Sequence, residues 1–125
     1  MAGIKSFTDL EAWKEGHKLV LMIYKASESF PGSEKFGLTN QIRRAIVSFT
    51  SNIAEGFSRN SPREKVQFYY MALGSLTEVQ NQSIIAKDLN YLSLQQHSKL
   101  LDQTVIANRL INGLIKSAKL MPKRT

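Results

Sequence analysis

Histidine is the side chain best suited to proton transfer or metal ligation near neutral pH, and this chain has two, His17 and His97. A di-metal carboxylate centre in a helical bundle needs Glu-x-x-His pairs projecting into the core. The residues three before the histidines are Lys14 and Leu94, so neither pair exists. There is no His-x-x-x-His, no Gly-rich phosphate loop and no dinucleotide fingerprint. A hydrolytic triad needs a serine and an acid gathered around one histidine. Here one histidine falls on a core stripe and the other near a helix start. His17, with no carboxylate placed beside it, reads as a buried histidine bonded to a neighbour rather than as a ligand. Cysteine is absent, which excludes disulfides and thiolate chemistry. Asn81-Gln82-Ser83 matches a glycosylation acceptor, but it lies mid-helix in a chain with no hydrophobic signal core. The expectation is a protein without catalytic residues, metal or cofactor, and therefore not an enzyme.

The chemistry that remains is charge. The net charge is +7, which suits anionic partners. Its distribution says more than its size. Beyond residue 90 the basic residues are Lys99, Arg109, Lys116, Lys119, Lys123 and Arg124, against Asp102 alone. Asp102, Arg109 and Lys116 recur every seven residues, along one exposed flank of a helix. A basic tail, residues 121–125, follows. Such an excess contacts nucleic-acid phosphates, or it is a solvated end that keeps the protein soluble.

The elements that position these groups are helical. Phe36 to Arg59 is the central one: Leu38, Ile42, Ala45, Ile46, Phe49, Ile53 and Phe57 fall in one stripe. The opposite side carries Val47, Thr50, Ser51, Ala54 and Ser58, with no charge, so it reads as covered too. A third, polar stripe holds Gln41, Arg44, Ser48, Asn52 and Glu55. Asn52 and Glu55 read as structural, with Glu55 pairing Arg44 or a basic residue of another chain. Breaking such a buried pair costs roughly 3–5 kcal/mol.

A first helix runs from about Thr8 to Ser29, with Thr8 as its cap and Glu11 completing a capping box. Its apolar stripe is Leu10, Trp13, His17, Val20, Leu21 and Tyr24, with Phe7 packing in from before the cap. Phe30-Pro31-Gly32 stops it. Ser61-Pro62-Arg63-Glu64 starts the third helix, over about residues 62–90. This one shows two apolar stripes. Tyr69, Leu73 and Leu76 lie on one, and Phe68, Met71, Ala72 and Val79 on the other. Gly74 in its middle lowers helix propensity unless another helix approaches closely. Ser93-Leu94-Gln95-Gln96 is a further capping box, and the fourth helix continues to about Leu120. The longest apolar run, Leu19 to Tyr24, is too short to span a bilayer, so a cytoplasmic location and no membrane contact are expected. With 42% hydrophobic residues, the 125 residues form one domain, an all-α antiparallel up-down-up-down four-helix bundle. Two covered faces on helices two and three imply a homo-oligomer. Its interface residues are Val47, Ser51, Ala54, Phe68, Ala72 and Val79.

At the second helix the sequence resembles a known family. Phe36-Gly37-Leu38, Gln41-Ile42-Arg43-Arg44-Ala45, Ser48 and Asn52-Ile53-Ala54-Glu55-Gly56 resemble the signature of bacterial four-helix bundle proteins associated with intervening sequences in 23S ribosomal RNA genes. Phe7, Leu10, Trp13, Phe30-Pro31, Glu64, Phe68, Ala72, Gly74-Ser75-Leu76 and Glu78 extend the likeness over residues 7 to about 92. Thr50, where a proline is common, and Phe57-Ser58 depart from it. The resemblance implies a ring-like homopentamer, more distantly similar to the nucleic-acid-binding accessory protein of diversity-generating retroelements. In that light Arg43, Arg44 and Arg59 join Arg109, Lys116, Lys119, Lys123 and Arg124 as candidate phosphate contacts. The expected function is RNA binding through charge and shape, since exposed aromatics for stacking are not evident. The alternative is an adaptor oligomer whose partner is another protein.

Overall fold

The computed structural model describes residues 3–122. Four helices make up the fold: α1 (Glu11–Ser27), α2 (Leu38–Ser58), α3 (Pro62–Asp88) and α4 (Leu94–Lys119). Local sequence sets most of their ends. Ser93 and Gln96 form the expected reciprocal capping box on α4, and Ser61 accepts the Glu64 N–H at the start of α3, with Pro62 in the first turn. Asn90 makes the turn from α3 to α4 at φ 65°, a left-handed conformation that asparagine tolerates. The start of α2 is held from outside: the Glu34 carboxylate accepts the Leu38 N–H at 3.0 Å and the Tyr91 hydroxyl at 3.0 Å.

The start of α1 differs from expectation. Ser6, not Thr8, is the cap, and it caps a separate 3-10 turn at Phe7–Asp9 with Asp9 closing the box. Leu10 then adopts an extended backbone before α1 begins, without a side-chain cap. A Thr8-x-x-Glu11 box would need the Thr8 N–H, and Ser6 Oγ already accepts it, so the earlier box wins. The Thr8 hydroxyl bonds to Ser6 instead.

Consecutive helices run antiparallel, and α4 returns to pack on α1. Residue pairs fix the directions: Arg43 meets Ser27 and Gly16 meets Phe49 across α1–α2, Ser48 meets Ser75 across α2–α3, and His97 meets Ser83 across α3–α4. Two glycines set the closeness. A Cβ on Gly16 would lie 2.6 Å from the Phe49 ring, and one on Gly56 would lie 2.6 Å from the Tyr69 ring. These are glycines of close helix approach.

The core is Leu19 and Ile23 from α1, the α2 stripe, Tyr69, Ala72, Leu76, Val79 and Ala86 from α3, and Leu100, Ala107, Ile111 and Ile115 from α4. The α2 stripe is buried as expected from Leu38 to Ile53, with Phe57 only half-buried, and Thr50, placed on the opposite side, is buried against α1, its methyl facing Gly16. In α1 the buried face is Ala12, Gly16, Leu19 and Ile23, rotated from the expected stripe. His17 is exposed and stacks on Trp13 at 4.8 Å instead of being buried. Leu21 stays 60% exposed. In α3 the two expected stripes resolve into a single buried face that draws on both.

Candidate nucleic-acid interface

The basic side chains divide by what already holds them. The Arg43 guanidinium donates to Ser27 Oγ at 2.8 Å and to the Tyr24 carbonyl at 3.3 Å, lying 4.7 Å from the Tyr24 ring. It clamps α2 to the last turn of α1. Arg59 donates to Glu55 at 3.2 Å, and its guanidinium lies 4.7 Å from the centre of the Phe68 ring. Lys65 donates to the carbonyls of Gly56 and Phe57, placing a cation on the last turn of α2, where the helix dipole favours one. Arg43 and Arg59, both expected at phosphate, are thus committed to the fold. Arg44 is exposed and makes no ion pair or hydrogen bond among the described residues.

On α4, Arg109 and Lys116 are exposed and likewise free of partners among the described residues. Lys119 reaches α3, where its ammonium donates to the Tyr70 hydroxyl at 2.5 Å and lies 5.0 Å from that ring. Lys123 and Arg124 lie outside the described residues. The antiparallel packing brings the end of α4 beside the start of α3. There a groove of about 610 Å³ is lined by Ser61, Arg63, Val66, Ala118, Lys119 and Met121. Arg63 is exposed and unpaired, and the charge pattern along the sequence did not single it out. A local signal existed: a cation in the first turn of a helix opposes the macrodipole, so it sits where the fold gains nothing from it.

Arg44 is far from this end of the bundle. It precedes Arg59 by fifteen residues on the same helix, roughly 22 Å at 1.5 Å per residue. The expected phosphate contacts therefore do not form one cluster within a chain. Aromatic exposure also differs from expectation: Tyr70, at the basic end, is 46% exposed, and Phe36, near the opposite end, is 87% exposed.

Along the polar flank of α2, Asn52 Nδ2 donates to the Ser48 carbonyl at 2.9 Å and to Ser48 Oγ at 3.1 Å. Ser75 Oγ donates to the Met71 carbonyl, so its bond with Ser48 Oγ at 2.9 Å is accepted from Ser48. A directed relay therefore runs from Asn52 through Ser48 to Ser75 and ties α2 to α3. Glu55 takes no part in it. Its side chain is 56% exposed and its partner is Arg59 one turn on, not Arg44, so the large cost expected for its loss does not apply.

Of the residues expected at an oligomer interface, Val47 and Ser51 are exposed, and Ala54 and Phe68 are half-buried. Ala72 and Val79 are 0% and 1% exposed inside the chain's own core and offer nothing to another copy. Small size and helical spacing placed them on a second stripe, but the core takes both. The outward residues of α3 are instead Met71, Ile85 and Leu89, with Gly74 open between them.

The histidines hold no exposed catalytic arrangement. His97 Nδ1 shares a hydrogen bond with Ser83 Oγ at 3.0 Å, yet Ser83 is only 2% exposed, beyond the reach of a substrate. Burial raises the Tyr69 hydroxyl above its ordinary pKa, and the bond to Glu34 raises that of Tyr91. The first shift comes from packing and the second from the bond that holds the start of α2. No described helix is long and apolar enough to cross a membrane.

Comparison with known proteins agrees with this architecture. No curated protein matches the chain. Among solved structures, a protein of unknown function from the S23 ribosomal protein family of Bacteroides thetaiotaomicron superposes with a TM-score of 0.75 at 19% identity, over 84% of this chain and 98% of that one. That similarity concerns the fold. The model of the 23S rRNA-intervening sequence protein family matches residues 8–113, and the chain belongs to that family.

Proposed function

We propose that this protein is a non-enzymatic, homo-oligomeric RNA-binding protein that holds phosphates at the basic end of its bundle. The observation that carries this reading is the set of free cations there. Arg63 and Lys116 have no partner among the described residues, and Arg109 continues the same flank of α4 away from that end, while Glu11 and Glu55 are already paired to Lys14 and Arg59 and leave Glu64 as the unpaired acid beside Arg63. Uncompensated cations beside a groove attract a polyanion and bind it with loss of its counterions. Tyr70, partly exposed beside Lys119, adds a surface on which an unpaired base can stack. The family's name points to ribosomal RNA as the class of nucleic acid. Assembly into a ring, with five copies as the resemblance implies, multiplies a modest charge per chain into a strong field.

The outer side of α2 supports assembly, because Val47, Ser51 and Ala54 present no charge there, and on α3 the apolar residues Met71, Ile85 and Leu89 are exposed, with Glu78 between the first two. The same surface favours the second reading, an adaptor that meets another protein. Electrophoretic shift of RNA and DNA at several salt concentrations separates them. The nucleic-acid reading expects binding that weakens steeply with salt and shows little sequence preference. Absence of binding at low salt favours the adaptor. Light scattering tests assembly: a species of 14.1 kDa alone would sink it. Ala54→Arg should dissociate the oligomer by placing an unpaired charge in the contact.

A further inference from the structure

The groove between the start of α3 and the end of α4 has a floor and a rim of different kinds. Pro62, Val66, Ala118 and Met121 line it with apolar surface, while Arg63 and Lys119 stand on its two walls, one from each helix. At about 610 Å³ it has the size of a site for one small molecule. Its neutral polar residues are Ser61, whose hydroxyl caps α3 by accepting the Glu64 N–H, and the exposed Gln67. Such a groove holds a ligand by covering an apolar face and by charge. It has no set of fixed donors and acceptors with which to tell one base from another.

The rim selects an anion. Arg63 has no partner among the described residues, and neither has Lys116, one turn before Lys119 on α4. Lys119 donates to the Tyr70 hydroxyl and lies 5.0 Å from that ring's centre, which sets Tyr70 at the edge of the groove. An ammonium has three N–H donors, so two remain for a ligand. Glu64, next to Arg63 in the chain, is not among the residues that line the groove. The same charge disfavours two other occupants. The residues after Met121 include Lys123 and Arg124, which would bring two cations to a cationic rim, and a second copy at +7 brings more of that sign. What fits is an anion with an apolar face. A nucleotide of an unpaired strand is one, a flat base flanked by phosphates, whereas a duplex keeps its bases stacked inside and would leave the floor bare.

We propose that this groove takes the base of one unpaired nucleotide, with the flanking phosphates on Arg63, Lys116 and Lys119, so that the protein prefers single-stranded RNA to a duplex. The proposal rests on the RNA reading for the origin of the strand and adds which form of RNA is bound. Charge alone gives the opposite order. A duplex sets twice as many phosphates along its axis as one strand does, so cations by themselves bind it at least as tightly. A base laid against Val66 and Met121 with Tyr70 beside it reverses that order, and every base has a face to offer there. The preference is for strand form, with no base favoured over another.

The test titrates the full chain into a short dye-labelled RNA of mixed sequence, alone and annealed to its complement, and reads fluorescence anisotropy at several salt concentrations. The single strand should bind about tenfold tighter than the duplex, within the range that one stacked base contributes. A strand of the same length and charge with abasic positions should fall to the level of the duplex. Val66→Thr/Met121→Ala makes the floor less apolar and keeps every cation, so it should lose the strand preference while the slope of log K against log salt stays that of the parent. Met121→Ala alone alters an exposed residue past the last turn of α4. It should lose part of the preference with the fold intact by circular dichroism. Equal binding of strand and duplex, or tighter binding of the duplex, would overturn the proposal and leave the phosphate reading standing. A preference that survives in the abasic strand or in the double variant would overturn it too, because the base would then lie elsewhere. No salt-dependent binding of either form would overturn both readings together, so the two failures are distinguishable. A changed mass of Met121→Ala by light scattering would make the groove a contact between copies and overturn it as well.

Discussion

Helices α2 and α4 both carry basic residues: α2 ties up Arg43 and Arg59 and leaves Arg44 free, whereas α4 ties up Lys119 and leaves Arg109 and Lys116 free among the described residues. On α2, Arg43 clamps α1 and Arg59 lies between Glu55 and Phe68, while the helix touches its neighbours closely at Gly56 and through the Ser48–Ser75 bond. On α4, Arg109 and Lys116 have no partner among the described residues, and Gly113 has open space around it. Charge alone does not mark a binding residue. What matters is whether the fold already uses the cation, and α4 holds cations that the fold leaves unused.

Equivalent substitutions on the two helices should therefore give different results. The largest effect is expected at Gly56→Ala. The added methyl meets the ring of Tyr69, which is 2% exposed and cannot move aside, so overpacking should cost about 1–3 kcal/mol in denaturant unfolding. The matching change on α4, Gly113→Ala, should instead stabilise by about 0.5–1 kcal/mol, since it gains helix propensity without a clash. Destabilisation at both positions would mean that α4 is covered as closely as α2.

Arg43→Ala should cost about 1–2 kcal/mol, because it removes bonds to Ser27 and the Tyr24 carbonyl and leaves the buried Ser27 hydroxyl without that partner. Arg109→Ala should stay within about 0.5 kcal/mol of the parent. If the two variants melt together, the division between bound and free cations fails. The smallest loss on α2 is expected at Glu55→Ala, at most about 1 kcal/mol, because both partners of that pair are well exposed. A larger loss would show that Glu55 is buried in the assembly.

The division was only partly legible in the sequence. The α2 stripe, the stop at Phe30-Pro31 and the Ser93 capping box read directly, because apolar periodicity and capping chemistry are local. The inward face of α1 did not, since Ala12 and Gly16 carry little hydrophobic signal, while Trp13 and Tyr24 at its rim carry much. The buried face of α3 was blurred by Ser75, Gln82 and Ser83, polar residues placed inward. Arg63 escaped because one charge at a helix start has no period, and it gains meaning only when the antiparallel packing puts Lys119 beside it. Whether an arginine is free depends on partners distant in sequence, such as Ser27 for Arg43.

The central claim is that the unused cations of the basic end hold RNA phosphates. The direct test is the salt dependence of binding to a single-stranded RNA, measured for the parent and for Arg63→Ser/Lys116→Ser. At about 0.7 per phosphate contact on single strands, removing two contacts per bound segment should lower the slope of log K against log salt by about 1.4, with melting unchanged. A slope identical to that of the parent, in a variant that still binds and folds, would contradict the account.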